Sequence, residues 1–271
     1  RNDHYSPWQT APLPKGALRL ADLGFFDLNV LQELSAQEVF WLSRLMPNTV
    51  VSDAQGQRRD LLELLQAQDS DTVDIPVQMG CRHPLACRLL AARVPQEIAD
   101  QRRRRLRERA REHGRTVSHE VLRLADWTFY VTNLPKDLLS LPEAFILMRA
   151  RWQIELLFKL WKNHGRIDEW RSAKPWRILC EVYAKLLAMI IQHWVLLLSC
   201  WRYPDRSLTK AAQTVRQHAL HLASDLQCMR HLCDAIAVIQ RCLTRGCRIN
   251  KRKATPHTYQ LLLDPTLGGL A

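Results

Sequence analysis

No uninterrupted apolar run in this chain of 271 residues reaches the roughly 18–20 residues that a membrane span needs. The nearest stretch, Ile178 to Trp201, is interrupted by Glu181, Lys185, Gln192 and His193. It reads as a buried helix with a Glu181–Lys185 pair one turn apart. A charged-then-apolar secretory leader is also missing, and the chain starts at Arg1 rather than Met. A processed or truncated start and a reduced, cytoplasmic setting are therefore expected, with no membrane partner. No internal repeat or low-complexity linker stands out, and an apolar content of 47% excludes a disordered basic tail. Zinc-module spacing is lacking too. Of the eight cysteines, Cys228/Cys233 and Cys242/Cys247 enclose four residues each, and Cys81/Cys87 enclose five. Both later pairs fall in helical patterns, where i and i+5 point about 140° apart, so buried or free thiols fit better than a metal module.

What the chain has in excess is positive charge, unevenly placed. Its formal net charge is +12, from 39 basic and 27 acidic residues. Residues 101–115 carry a surplus of +6, residues 149–177 of +5 and residues 241–253 of +6, so the remainder is acidic by about five charges. Thirty of the 39 bases are arginine, whose planar fork fits phosphate. Patched arginine makes nucleic acid the leading partner, with solvated helix faces as the bland alternative.

The organisation reads as α/β followed by α. Leu18 and Leu20 alternate inward along a strand that reaches Asp22; Gly24 permits a sharp turn, and Asp27 is placed to cap a helix through Leu28, Leu31 and Leu34. Val39 to Leu45 reads as a second buried strand, which gives a β-α-β unit with a parallel sheet. Residues 48–135 form an insertion-like, mostly β region, with strands over Thr72–Gln78, Cys87–Val94 and Asp126–Leu134. A leucine-rich helix near Leu61–Gln68 and an exposed helix over Arg102–Arg111 complete it. Helices are expected over roughly 142–163, 174–201, 207–223 and 226–244.

The helix after Pro142 reads PEAFILMRARWQIELLFKLWK. At 100° per residue with Arg151 at zero, Lys162 falls at about 20°, Glu155 at about 40°, Met148 at about 60° and Lys159 at about 80°. Leu156, Leu157, Leu160 and Trp161 fall on the opposite, packed side. A carboxylate between two cations suits a metal-bound carboxylate beside phosphate-gripping groups. The same stripe also describes an ordinary Arg–Glu pair on a solvated face.

Arg151, three residues, Glu155, six residues, Lys162 resembles the Tyr-x2-Arg-x3-Glu-x6-Lys signature of bacterial insertion-sequence transposases of the DDE superfamily, family-four branch. LADLGFFDLNVL is similar to the family's segment with its second catalytic aspartate, here Asp22. DWTFYVTNLP is similar to the strand that returns from the family's β-rich insertion. The resemblance runs from roughly residue 10 to residue 200. It implies an α/β fold: a partial RNase H-like core (1–47), a β-rich insertion (48–135), core helices with Glu155 (136–203) and a helical C-terminal region (204–271).

By the same resemblance, Asp22 and Glu155 are metal-binding carboxylates in a two-metal site for Mg²⁺ or Mn²⁺. The chemistry is cleavage and strand transfer at transposon ends. Arg151 and Lys162 are implied to hold phosphates, Lys159 to assist, and Trp127 to stack on a flipped base. The alternative for Trp127 is a ring packed between insertion and core. Implied partners are double-stranded DNA, at transposon ends and target, and a second copy of the chain in the DNA complex; the implied location is the bacterial nucleoid. Two departures stand out. Met148 occupies the tyrosine position and cannot donate that residue's hydrogen bond. Only 21 residues precede Asp22, too few for the strands that carry the family's first aspartate, so the chain reads as truncated inside the fold. Two other readings stay open: an inactive DNA-binding remnant, and a generic basic helical scaffold.

Overall fold

The computed structural model describes residues 11–198, 206–249 and 261–262. It contains two compact units, residues 1–150 with 261–271, and residues 151–260.

The first unit is built on one seven-stranded sheet, ordered β1-β2-β7-β6-β5-β3-β4. β1 (Leu18–Ala21) leads through a tight turn into α1 (Leu28–Ala36), and β2 (Phe40–Arg44) returns parallel to β1 with Leu18 opposite Phe40 and Ala21 opposite Ser43. This is the expected β-α-β unit. The Asp27 carboxylate caps α1 by accepting from the amides of Asn29 and Val30, and Leu31 and Leu34 turn inward one helical turn apart. One detail differs: Leu18 is 38% exposed, while Ala21 is buried. β1 is the edge strand, so its first residues are covered from one side only.

The remaining strands are β3 (Val51–Ser52), β4 (Arg58–Arg59), β5 (Thr72–Met79), β6 (Leu85–Arg93) and β7 (Trp127–Thr132). They pair antiparallel, and β7 joins them to β2, so residues from the insertion-like segment extend the sheet of the β-α-β unit. α2 (Leu61–Gln66), α3 (Gln96–Glu112) and α4 (His119–Leu124) lie in the connections. Period-two alternation sorts the side chains onto two faces. Trp41, Leu89, Val131 and Trp127 pack in one cluster with Leu31, Leu34 and Leu65 of the helices. Leu42, Leu90 and Tyr130 pack in a second with Ala144 and Met148.

The β7–β2 seam ends in a polar joint. The Asn133 Oδ1 accepts from the Trp41 amide at 2.8 Å, while its Nδ2 donates to the Val39 carbonyl at 3.1 Å and to Ser35 Oγ at 3.3 Å. Ser35 also accepts from the Trp41 indole at 2.9 Å, and the buried Thr132 hydroxyl donates to the Trp41 carbonyl at 2.7 Å. Nearby, Arg88 forms a two-pronged pair with Asp74 at 3.0 and 2.7 Å, and its remaining prong holds the carbonyls of Leu134 and Leu139.

α5 (Leu141–Asn163) begins in the first unit; the second contains its later turns, α6 (Pro175–Leu197), α7 (Leu208–Gln217), α8 (Ala219–Ser224) and α9 (Met229–Arg245). The helix expected over 207–223 is two, broken at His218, whose backbone leaves the helical region. Val195, Leu196, Ala211, Val215, Ile239 and Leu243 form this unit's cluster. α6 departs from the buried helix expected of it. Trp176 is 79% exposed and Trp194 66%, and only Met189, Val195 and Leu196 are buried. The Glu181–Lys185 pair does form, at 3.4 Å, but it serves the preceding loop: Glu181 accepts from the Arg171 amide and Lys185 donates to the Arg166 carbonyl. By length and composition alone α6 is long and apolar enough to cross a membrane, because two charges in an 18-residue window do not offset its leucines and isoleucines.

Cys81, Cys180, Cys233 and Cys242 are exposed free thiols, whereas Cys87 is buried in β6 and burial pushes its thiol up to about 12. An alkylating reagent at mildly alkaline pH is expected to modify the exposed four in the folded chain and to reach Cys87 only after unfolding, as read by mass spectrometry; early labelling of Cys87 would contradict this packing. Asn133→Ala removes three hydrogen bonds from the β7–β2 joint and is expected to cost about 2–4 kcal/mol in urea denaturation, with a loss below about 0.5 kcal/mol counting against the joint's importance.

Candidate active site and nucleic-acid interface

Asp22 stands one residue beyond β1, at the carboxyl end of the parallel β1–β2 pair. Its backbone is still extended, and Oδ1 accepts from the Gly24 amide at 3.0 Å, capping the short turn Leu23–Phe25. An aspartate at the end of a parallel strand is partly exposed here while one oxygen is fixed by the backbone that follows. A carboxylate has room for several partners, so the cap and a second role are compatible.

Glu155 sits on α5, whose start is set by a reciprocal cap. The Glu143 carboxylate accepts from the Ser140 amide at 2.9 Å and from its hydroxyl at 2.6 Å. These bonds hold the Glu143 carboxyl below its ordinary range. Further along, Arg151 Nη2 lies 3.3 Å from Glu155 Oε1, an i, i+4 pair with Glu155 one-third exposed and Arg151 more covered. Lys162 is exposed on the same stripe. Lys159 is exposed as well, and its ammonium lies 5.6 Å from the Trp152 ring centroid, a cation–π contact on the helix surface. The structure therefore places Arg151, Glu155 and Lys162 together on one helix stripe within the second unit, and Asp22 in the first.

Three expectations about side chains change. Met148 falls near the polar stripe on a helical wheel, yet it is buried with Leu42, Leu90 and Tyr130. A wheel fixes an angle around the axis, not what covers that angle, and the first turns of α5 are covered by the sheet. Methionine at this position is a core residue. The opposite face of the later turns is less packed than expected, with Leu160 buried, Leu157 and Trp161 half-buried and Leu156 exposed. Trp127 is 3% exposed, packed in the cluster that includes Leu124 and Leu89, with the Arg93 guanidinium 5.1 Å from its ring centroid. Its burial accords with the packed alternative. Among the described residues no group of three or more His, Cys, Asp or Glu is arranged to hold a metal ion.

Residues 3–191 match the family model described as the transposase DDE domain. The chain belongs to the DDE transposase family. It is 28% identical over 197 residues to the transposase for insertion sequence element IS231F of Bacillus thuringiensis subsp. israelensis, which covers 66% of the chain and 41% of that relative. It is 26% identical over 255 residues to the transposase for IS231C of Bacillus thuringiensis subsp. berliner, covering 88% and 51%. It is 32% identical over 145 residues to the putative transposase InsL for IS186A of Escherichia coli strain K12, covering 51% and 39%. The chain thus spans about half or less of the length of these relatives. No solved structure matches it. Family membership implies an RNase H-like fold, and the mixed α/β unit around β1 and β2 accords with it.

Trp127→Ala is expected to behave as a core truncation, lowering stability by about 3–5 kcal/mol in thermal or urea denaturation. A stability close to that of the parent would reopen a surface role for the ring. The Ser140–Glu143 cap has a pH signature. Because the Glu143 pKa is depressed in the fold, its stabilisation is present above the unfolded value of about 4.3 and is lost as pH falls through the folded value. Glu143→Gln should therefore be less stable than the parent at neutral pH and converge with it in acid, and a constant gap across pH would refute the cap's charge dependence.

Proposed function

We propose that this chain supplies the catalytic core of an insertion-sequence transposase that cuts and joins DNA strands at transposon ends. The observation that carries the reading is the Arg151–Glu155 pair with Lys162 on one stripe of α5, in a chain whose family is that of DDE transposases. Asp22 and Glu155 are the carboxylates of the site. Both offer hard oxygen donors of the kind that Mg²⁺ or Mn²⁺ takes, commonly one or two carboxylates with substrate phosphates completing the shell. Bound there, two such ions would supply charge neutralisation at the scissile phosphate and a more acidic attacking water.

The chain's own side chains do the rest of the binding. Arg151 orients the Glu155 carboxylate through its guanidinium and brings positive charge beside it for phosphate. Lys162, a mobile point charge at the end of α5, neutralises a second phosphate, and Lys159 contributes charge from beside Trp152. The tyrosine contact of the family signature is absent because Met148 belongs to the core. The partners are double-stranded DNA of the transposon ends and of the target, in an assembly of two copies acting at the nucleoid. Residues 1–47 and 136–203 form the RNase H-like part, residues 48–135 its insertion and residues 204–271 a helical C-terminal region.

The test uses a complete enzyme that contains this chain. Glu155→Gln or Asp22→Asn should reduce Mg²⁺-dependent nicking at the transposon end by about 10³-fold or more while leaving DNA binding within a few fold. Nicking that survives either substitution would remove that carboxylate from the site. Lys162→Ala should weaken DNA binding and lower the salt slope of the affinity by about one; an unchanged slope would remove Lys162 from the phosphate contacts.

A further inference from the structure

α5 stops one residue after Lys162, and the way it stops is strained. A terminal turn frays unless its carbonyls find donors, and fraying here would carry Lys162 off the stripe it shares with Arg151 and Glu155. The chain closes on Lys162 itself: the Arg166 amide donates to the Lys162 carbonyl at 3.1 Å, and the Ile167 amide to the Trp161 carbonyl at 3.3 Å. This is a left-handed cap, with Arg166 at φ +48°. Glycine is the usual residue in that place, because a Cβ crowds the backbone in this conformation. The glycine of this turn sits one residue earlier. A Cβ at Gly165 would lie 2.6 Å from the Met189 sulfur and 2.7 Å from the Trp161 carbonyl oxygen, and Met189 is buried. Close approach of α6 therefore requires the glycine at 165, and the left-handed position falls to an arginine.

One face of α6 holds the turn from outside, through Glu181, Lys185 and Met189, each one helical turn apart. The Lys185 ammonium donates to the Arg166 carbonyl at 2.9 Å and to the Glu169 carbonyl, and it pairs with Glu181 at 3.4 Å. Glu181 in turn accepts from the Arg171 amide at 3.0 Å. The Arg171 amide, and after it the Lys185 charge, hold the Glu181 carboxyl below its ordinary range. An ammonium has three donors, and two carbonyls and a carboxylate use all of them. Lys185 is also well covered, its side chain 21% exposed, so it differs from the exposed Lys159 and Lys162 in having no donor left for a phosphate.

We propose that Lys185 is a positioning residue for the phosphate contact: by pinning the left-handed turn at Arg166 it keeps the last turn of α5 closed and Lys162 in line with Glu155. This rests on the transposase reading and deepens it, by naming a residue that touches no DNA and acts through Lys162.

The test uses the full chain. Binding of a fluorescently labelled random-sequence duplex is followed by anisotropy across a salt series, and hydrogen exchange of the amides at 166 and 167 by NMR. Lys185→Met, which keeps the length and removes the donors, should speed exchange of both amides about tenfold. It should also reduce the slope of log affinity against log salt by nearly the amount that Lys162→Ala does, about 0.9. Combined with Lys162→Ala it should reduce the slope no further, because the two residues act as one. Adding Arg166→Gly, which takes up the turn without strain, should bring Lys185→Met within about threefold of the exchange of Arg166→Gly alone, and within about 0.3 of its slope. Arg166→Gly by itself leaves α6 intact and should slow exchange at 167 about threefold; faster exchange would overturn the strain on which the role depends. A slope lowered by Lys162→Ala but not by Lys185→Met, additive losses in the double variant, or no rescue by Arg166→Gly would overturn the positioning role and leave Lys162 as a phosphate contact. A slope unchanged in Lys162→Ala would remove both assignments, and a parent chain that binds no duplex at low salt would overturn the transposase reading with them.

Discussion

A side chain that behaves as backbone holds the centre of the sheet together. Where the β7–β2 ladder runs out, the Asn133 amide takes over: it accepts from the Trp41 amide and donates to the Val39 carbonyl, as a residue of a paired strand would. Thr132 and Ser35 complete the joint with the Trp41 carbonyl and indole. Everything of functional interest in the first unit depends on that seam. β2 is clamped on one side by β7 and carries β1 on the other, so the position of Asp22 is inherited from it. Apolar residues could fill the same volume, but only donors and acceptors with this spacing fix the register, and a one-residue slip would turn each side chain of β2 to the opposite face.

α5 joins two environments along one continuous helix. Its first turns are apolar on several sides, with Ala144, Ile146 and Met148 buried, and its later turns carry the Arg151–Glu155 pair and Lys162 in partial exposure. A charged group in the first environment would have to be paired or neutralised, whereas in the second it can meet a solvated polyanion at little cost. The division explains why the proposed phosphate contacts begin at Arg151 and not a turn earlier. It also explains why a methionine is comfortable where the family signature has a phenol, since the side chain packs on Tyr130 and Leu90 and faces no phosphate.

Local rules carried much of this architecture in the sequence itself. Asp27 and the leucines after it announce α1; the apolar segments on either side announce β1 and β2; the stretch from Pro142 announces α5. These signals involve neighbours in sequence, and periodicity reads them directly. What periodicity cannot supply is the identity of the covering surface. Trp127, Met148 and the apolar face of α6 all have the right spacing for one role and the burial of another, because burial is decided by elements distant in the chain. The Arg151–Glu155 pair was legible because both residues share one helix.

β1 has a neighbour on one flank only, and it is four residues long. An open flank is a template on which a foreign strand can grow, and shortness together with a charge in the strand are the usual protections. Arg19 stands in the middle of β1, partly sunk and held below its ordinary value by that burial, where a lysine on a free edge would be fully solvated. The proposed metal-binding carboxylate of Asp22 thus follows a four-residue edge strand, where its Oδ1 caps the next turn. Tolerance to crowding and a fixed reaction geometry make opposite demands on such a strand, and its length is the compromise between them.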